Sequence, residues 1–275
     1  MKLASVVVCY YPNEELMENI DSYSFGSDIL YIWDNTPGGS DIVKMIPSNS
    51  HTQVLNFGGD NKGLAFAYNR AMELAKEQGC SHLMTMDQDS RFEHFDRFLE
   101  TISSNTNHVY GMFCPPINNP DLEHHVEVPH AAQSGCVFDM KMMGELGGFR
   151  EDFFIGMVDV EMQLKAVQAG YKILCVSGCN LVHHIGSERE VKFIGHKVGV
   201  SDYGPLRHYY DSRNRILMWH EFPDDYSFSG KMKHYLNRIK TMLKIALFED
   251  AKWVKIKAII KGTYYGIVNK AKPYK

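Results

Sequence analysis

No apolar stretch in this sequence approaches the ~20 residues needed to cross a bilayer, which leaves a soluble or peripheral protein. There is no secretory leader pattern either: Met1-Lys2-Leu3-Ala4-Ser5 runs straight into a strand-like segment, and a cytoplasmic location is expected. Paired cysteine spacing is missing. Cys9, Cys80, Cys114, Cys136, Cys175 and Cys179 are scattered, mostly inside apolar runs, and nothing beside Cys175 and Cys179 completes a zinc set. Buried, reduced thiols are expected. Internal repeats and low-complexity tracts are absent too. With 44% hydrophobic and 23% charged residues, disordered, collagen-like and disulfide-scaffold classes are excluded. The 275 residues allow one large domain or two ordinary ones.

What the chain does have is an uneven charge. The net charge of −4 sums two unlike parts: residues 231–275 carry 12 Lys and Arg against Glu249 and Asp250, and residues 1–230 carry 17 basic and 31 acidic side chains. An acidic body with a basic tail argues against a nucleic-acid binder and for an interface at one end.

Strand and helix signals alternate through the first 110 residues. Leu3–Tyr10 is a β-branched apolar run ended by Pro12, as expected of a strand buried on both faces. Helix-compatible residues 13–24 come next, then strand runs at 28–33 and 52–57. Asn61 has the position of a helix N-cap, with Leu64, Ala67, Tyr68, Ala71, Leu74 and Ala75 at helical spacing and Gly79 as the stop. His82–Met86 is the next strand. This order predicts a doubly wound, mainly parallel sheet, in which ligands bind beyond the carboxyl ends of the strands. Later, 131–138 reads as a strand, 158–169 as a helix capped by Gly170, and 171–176 and 180–182 as strands. Residues 187–203 hold few order signals and suggest a mobile loop.

Several clusters have chemistry to offer. Asp87-Gln88-Asp89 ends an apolar strand; its two carboxylates either share a divalent ion or cap the next helix. Asp159-Val160-Glu161 opens a helix, as dipole complements or with Asp159 as general base. His183-His184 comes just after a strand, and one of the pair is a further ligand if the carboxylates hold a metal. At Asn61-Lys62-Gly63 a helix start offers N–H groups and a lysine to a phosphate, although capping explains Asn61 equally well. Arg213 and Arg215 lie on an expected helix, either on a solvated face or against a diphosphate.

In order, these blocks resemble an inverting family-2 glycosyltransferase of the GT-A fold, of the bacterial rhamnosyltransferase branch. They are VVVCYYPNEE (6–15), WDNT (33–36), NKGLAFAYNRAMELA (61–75), MDQDS (86–90), QSGCVF (133–138), GGFREDFFIGMVDVEMQLKAVQAGYKI (147–173), LVHHIG (181–186) and RHYYDSRNRIL (207–217). The resemblance spans roughly residues 1–220. It implies that Tyr11, Pro12 and Asp34 hold base and ribose, that Asn61 and Gly63 lie beside the nucleotide, and that Asp87 contacts the nucleoside. It further implies that Asp89 coordinates Mg²⁺ or Mn²⁺ on the diphosphate, with His183 as additional ligand and His184 as the fallback. Asp159 matches the family's base and Glu161 would help bind the acceptor. Two positions depart from the pattern: Gly156 stands where an acidic residue is common, and Lys165 where an arginine is.

The expected organisation is a GT-A domain over 1–220 and a basic helical extension over 221–275. In the extension, Leu236, Ile239, Leu243 and Leu247, then Trp253, Ile256, Ile260, Tyr264 and Ile267, recur at helical spacing among lysines. Basic amphipathic helices of this kind lie on anionic membrane, or else pack on their own domain. The expected reaction moves a sugar, L-rhamnose from dTDP-L-rhamnose first, to a hydroxyl of a surface glycan or lipid-linked acceptor. UDP-galactose or UDP-glucose is the alternative donor, and a sugar-nucleotide-binding protein without catalysis the alternative class. A nucleotidyltransferase is disfavoured, because CYYPNEE offers no glycine-rich phosphate loop.

Overall fold

Leu3–Cys9 carries no charged residue and three consecutive valines, and it forms a strand, β1, buried at every position. That is how a central strand covered on both faces looks. The structure, a computed structural model, describes residues 1–56, 58–183, 189–193 and 195–274. It divides into two compact units: Met1–Glu151 with Asp159–His184, and Asp152–Val158 with Ile185–Lys275.

After β1 come α1 (Leu16–Ser24), β2 (Ile29–Asp34), α2 (Asp41–Lys44), β3 (Thr52–Asn56), α3 (Leu64–Glu77), β4 (His82–Asp87) and β5 (Ser90–Glu93). Phe57, expected to end β3, lies outside the described residues. The chain continues through α4 (Phe95–Ser104), β6 (Tyr110–Cys114), β7 (Val126–Val128), β8 (Cys136–Asp139), α5 (Met140–Leu146), α6 (Val158–Gln168), β9 (Lys172–Cys175) and β10 (Asn180–His183). The main sheet has eight strands in the order β3-β2-β1-β4-β8-β6-β9-β7. β3, β2, β1 and β4 run parallel, β8 runs antiparallel to both β4 and β6, and β7 is antiparallel to β9. A separate two-stranded sheet pairs β5 with β10.

Packing obeys the pattern of apolar residues. On α3 the buried face is Ala65, Ala67, Ala71 and Ala75, small residues that let the helix lie close to the sheet, together with the large ring of Tyr68. On α4, Phe95, Phe98 and Ile102 turn inward and meet Phe92 of β5, whose ring centroid is 4.7 Å from that of Phe95. Each such buried aromatic contributes about 1.5–3 kcal/mol of hydrophobic stabilisation. All six cysteines are free, and all but half-buried Cys175 are buried.

The second unit holds a hairpin, β11 (Arg189–Phe193) with β12 (His196–Val200), and three helices, α7 (Pro205–Glu221), α8 (Phe228–Phe248) and α9 (Lys252–Ile267). The hairpin occupies most of the span expected to be a loop. Residues 207–217, expected within the first domain, lie on α7 and group with α8 and α9. α9 approaches α7 through two glycines one turn apart: a Cβ on Gly262 would collide with the Tyr209 carbonyl, and one on Gly266 with Ile216 and the Arg213 carbonyl. Within this unit Lys255 and Glu249 form a buried ion pair at 2.7 Å.

Candidate active site

The carboxyl end of β4 and the short β5–β10 sheet bring three expected ligands together. Antiparallel pairing sets His183 opposite Ser90. His183 Nε2 then lies 4.0 Å from Asp87 Oδ2, and its Nδ1 lies 3.5 Å from Asp89 Oδ1. One ligand atom from each of Asp87, Asp89 and His183 falls within 4.8 Å of the others. Two hard carboxylates and an imidazole at this spacing fit a Mg²⁺ or Mn²⁺ ion bonded at about 2.0–2.2 Å. His184 lies outside the described residues.

Neighbours that carry no signal of their own in the sequence hold this triad. The Asp87 N–H donates to Ser134 Oγ (3.0 Å), Ser134 Oγ donates to Ser90 Oγ (2.7 Å), and Ser90 Oγ is hydrogen-bonded to His183 Nδ1 (2.6 Å). Both serines are buried. Asn118 grips the His183 backbone, donating to its carbonyl at 2.9 Å and accepting its N–H at 3.2 Å. Gln88, between the two aspartates, brackets Tyr10 in the same manner, accepting its N–H (2.7 Å) and donating to its carbonyl (3.2 Å). The end of β1 is thereby tied to the Asp87–Asp89 turn. Ser134-Gly135 stands within the 133–138 block; nothing in the sequence says which polar residues pair across such separations.

At the end of β1, Tyr11 is 63% exposed with φ +48°, and its N–H donates to Thr36 Oγ1 at 3.0 Å. Pro12 beside it is buried. Asp34 is buried and braces the turn after β2, accepting from the N–H of Thr36 (2.9 Å) and of Ser40 (2.6 Å). Asn61 does not cap α3. Its Oδ1 accepts from Gly63 N–H at 2.9 Å, two residues on, and the N-cap is Gly63 at φ +88°. Buried Asn35 donates to the Gly63 carbonyl at 3.1 Å, joining the turn after β2 to the start of α3. A cleft of about 150 Å³ is lined by Glu15, Glu18, Asn19, Asp89, Arg91 and Val182.

Asp159 stands half-buried in the first turn of α6. Burial pushes the Tyr68 hydroxyl well above the ordinary tyrosine range, and the Asp87 and Asp159 carboxylates add to that push. The Cys136 thiol is raised by burial and then by Asp159, with Asp87 adding to it. Asp87 and Asp159 therefore bear on one buried pair of side chains. Glu161, expected at the acceptor, is 1% exposed and pairs with Lys165 at 3.0 Å along α6.

Of the three arginines of α7, the two expected against a diphosphate differ. Arg213, expected against a diphosphate, is fully buried: its guanidinium donates to the carbonyls of Asp152 and Lys272 and lies 4.7 Å over the Tyr210 ring. With Asn214, which donates to the carbonyls of Phe153 (2.8 Å), Ile155 (3.0 Å) and Gly156 (2.9 Å), it holds the Asp152–Val158 segment. Arg215 is half-buried beside Asp211 and His234. Gly156 has a local reason to be glycine: at φ +74° a Cβ would strike the Asp211 carboxylate.

Solved structures share this fold. A mannosyltransferase, PcManGT of Pyrobaculum calidifontis, in complex with GDP-Man and Mn²⁺, aligns over 97% of this chain and 75% of its own at TM-score 0.57 and 14% identity. S. aureus TarS residues 1–349, in complex with UDP-GlcNAc, aligns over 98% and 88% at TM-score 0.57 and 13% identity. GalNAc-T7 with UDP, GalNAc and Mn²⁺ aligns over 98% and 56% at TM-score 0.55 and 11% identity. The chain thus has the GT-A glycosyltransferase fold, with its mixed, mainly parallel sheet. Among curated proteins it is similar to the dTDP-rhamnosyl transferase RfbF of Shigella flexneri, 26% identical over an alignment of 182 positions that covers 58% of this chain and 60% of that protein. The match therefore spans about three fifths of that relative's length. No protein-family model matches the chain.

Proposed function

We propose that this protein is a metal-dependent, inverting glycosyltransferase that takes a sugar from a nucleotide diphosphosugar, dTDP-L-rhamnose first, and places it on a hydroxyl of a glycan or lipid-linked acceptor. The observation that carries the reading is the Asp87–Asp89–His183 triad at the carboxyl end of β4 in a GT-A sheet. Asp89 and His183 are the residues to hold Mg²⁺ or Mn²⁺, and Asp87 faces both the ion and the nucleoside. When bound, the ion neutralises the charge that builds on the departing diphosphate. Exposed Tyr11 offers a face to the base, while Asp34 keeps the turn beneath it rigid. Asp159 accepts the acceptor's hydroxyl proton as that oxygen attacks the far face of the sugar, and inversion needs no protein nucleophile. Similarity to RfbF and to Mn²⁺-bound neighbours supports this assignment.

We further infer that this activity works at the cytoplasmic face of an anionic membrane, a reading that the C-terminal helices support. Among the described residues no helix is long and apolar enough to cross one. Yet Leu236, Ile239, Leu243 and Leu247 of α8 are at least 50% exposed, as are Trp253, Ile260, Tyr264 and Ile267 of α9. Such rows among lysines suit a lipid interface, the surface on which a lipid-linked acceptor is held.

A panel of nucleotide sugars, each incubated with Mn²⁺ or with EDTA, tests the transferase reading. Metal-dependent turnover of dTDP-L-rhamnose, abolished in Asp89→Ala and Asp159→Asn, is expected. Turnover confined to UDP-hexoses removes rhamnose as the donor. Unchanged transfer by Asp159→Asn removes the base assignment.

A further inference from the structure

In the second unit, α7 and α8 hold more cations than the acceptors around them answer among the described residues. Arg207, Asp211 and Arg215 stand four residues apart on α7 and so share one face. His208 and Ser212 form the neighbouring row. From α8, again four apart, come His234 and Arg238. Arg207 Nε is 3.9 Å from Asp211 Oδ2, a loose pair. Asp211 is also the carboxylate that acts on Arg238, while Arg215 acts on Arg238 unfavourably. Four buried polar atoms here have no hydrogen-bond partner among the described residues: His208 Nε2, Ser212 Oγ, His234 Nε2 and Arg238 Nε. The two imidazoles report the local field. Burial, then Arg238, Lys255 and Arg207, hold His208 down to about 4; burial, then Arg238 and Arg215, hold His234 down to about 4. Lys255 is already matched by Glu249 at 2.7 Å, so the unmatched charge belongs to the arginines.

Three guanidinium groups against one carboxylate leave an excess of about two positive charges, and buried donors without acceptors are rare in folded proteins. Guanidinium forks match oxyanions with several oxygens, phosphate above all. The cluster is reachable from its Arg207–Asp211 edge, whose side chains are 45% and 29% exposed, and Arg215 and Arg238 are half-buried behind it.

We propose that Arg207, Arg215 and Arg238 form a site for a phosphate-bearing ligand of two or more negative charges, with His208, Ser212 and His234 as neutral donors. The site needs no metal and uses none of Asp87, Asp89 and His183. Its ligand is a free diphosphate or the phosphate of a lipid. Asp211 occupies part of the site and competes with the ligand.

Isothermal titration of the full chain with inorganic pyrophosphate in EDTA tests this, because EDTA silences metal-borne binding at Asp89. The wild type and Asp89→Ala are expected to bind alike, Arg215→Ala and Arg238→Ala to lose at least tenfold in affinity, and Asp211→Asn to gain severalfold. A merely structural role for the cluster does not produce that gain. Equal binding by wild type and both arginine variants overturns the site, as does loss of binding in Asp89→Ala or no binding by any form. If Arg238→Ala does not fold, Arg215→Ala and Asp211→Asn decide. Phosphatidylcholine vesicles with and without phosphatidic acid separate the two sources. Binding that needs phosphatidic acid and is displaced by pyrophosphate assigns the lipid phosphate, and binding that pyrophosphate leaves untouched overturns the lipid source. Sugar turnover is not read in this test, so its failure and that of the transferase reading are distinguishable.

Discussion

Ser90 Oγ lies 2.6 Å from His183 Nδ1, and this hydrogen bond decides which imidazole nitrogen is left for a ligand. With Nδ1 held by a buried hydroxyl, Nε2 faces Asp87 Oδ2 at 4.0 Å. Ser134 fixes that hydroxyl in turn, and the Asp87 N–H fixes Ser134, so both ends of the relay belong to the triad. Outer-shell partners of this kind are typically worth 10–100-fold in metal affinity. Ser90→Ala is therefore expected to weaken Mn²⁺ binding about tenfold or more, with Ser134→Ala weaker in effect and in the same direction. Electron paramagnetic resonance of free Mn²⁺ during titration measures it, with thermal denaturation as the folding control. Unchanged Mn²⁺ affinity in a folded Ser90→Ala variant would sink the positioning role.

Much of the frame was legible because burial leaves a strong mark. The apolar runs at β1, β2 and β4 predicted central strands, and each is indeed largely or wholly buried. Topology alone put Asp87 and Asp89 at a strand's carboxyl end. Pairings between distant short segments were not legible: β5 and β10 are four residues each, with about 90 residues between them, and only their register sets Ser90 opposite His183. Residues 187–203 looked like a loop because β11 is short, charged and mostly exposed and β12 pairs two polar residues with Val198, Gly199 and Val200, so no clear alternation betrays the hairpin. The arginines of α7 show a third limit. The sequence treated Arg213 and Arg215 alike, yet two residues apart on a helix they lie on different faces, and nothing in the spacing says which face turns inward. Asn61 was misplaced by two residues, since an Asx turn and an N-cap use the same side-chain acceptor.

Gly156 offers a test of the segment just before Asp159. It holds φ +74°, where L side chains are strained, and a Cβ would meet the Asp211 carboxylate. Gly156→Ala combines strain of about 1–3 kcal/mol with that clash. A lowered melting temperature is expected, and in an Asp211→Gly background the added loss from Gly156→Ala should be smaller. Equal losses in both backgrounds would show that the Asp211 contact does not constrain this position.

Acid should destabilise the second unit through two imidazoles. Burial, with neighbouring cations, lowers His208 and His234 from 6.5 to about 4. Between those values the unfolded chain takes up protons that the folded chain refuses. Their contribution is thus fully present above pH 6.5 and is lost as pH falls toward 4, on the order of 3 kcal/mol for each histidine. Melting temperature measured from pH 7.5 to 4.5 should fall steeply below 6.5, and His234→Gln should flatten that fall. A wild-type profile that stays flat from 6.5 to 4.5 contradicts the buried, neutral state of these rings.

The last prediction concerns the exposed rows of α8. At about 100° per residue, Leu236, Ile239, Leu243 and Leu247 fall within roughly 80° of arc, and Lys233, Lys240 and Lys244 flank one edge of it. Water gains nothing from four exposed leucine and isoleucine side chains, each with about 1.5–3 kcal/mol to recover on burial. An anionic bilayer answers both the apolar row and the lysines, whereas a second copy of the chain would bring like charges together. Co-sedimentation should show binding to vesicles containing phosphatidylglycerol, little binding to phosphatidylcholine alone, and release by salt as surface charges are screened. Replacing Leu236 and Leu243 by Asp should abolish binding while leaving metal-dependent sugar turnover with a soluble acceptor intact. Equal sedimentation of that variant, or a wild type that dimerises in light scattering and ignores vesicles, would move this face from the membrane to a protein contact.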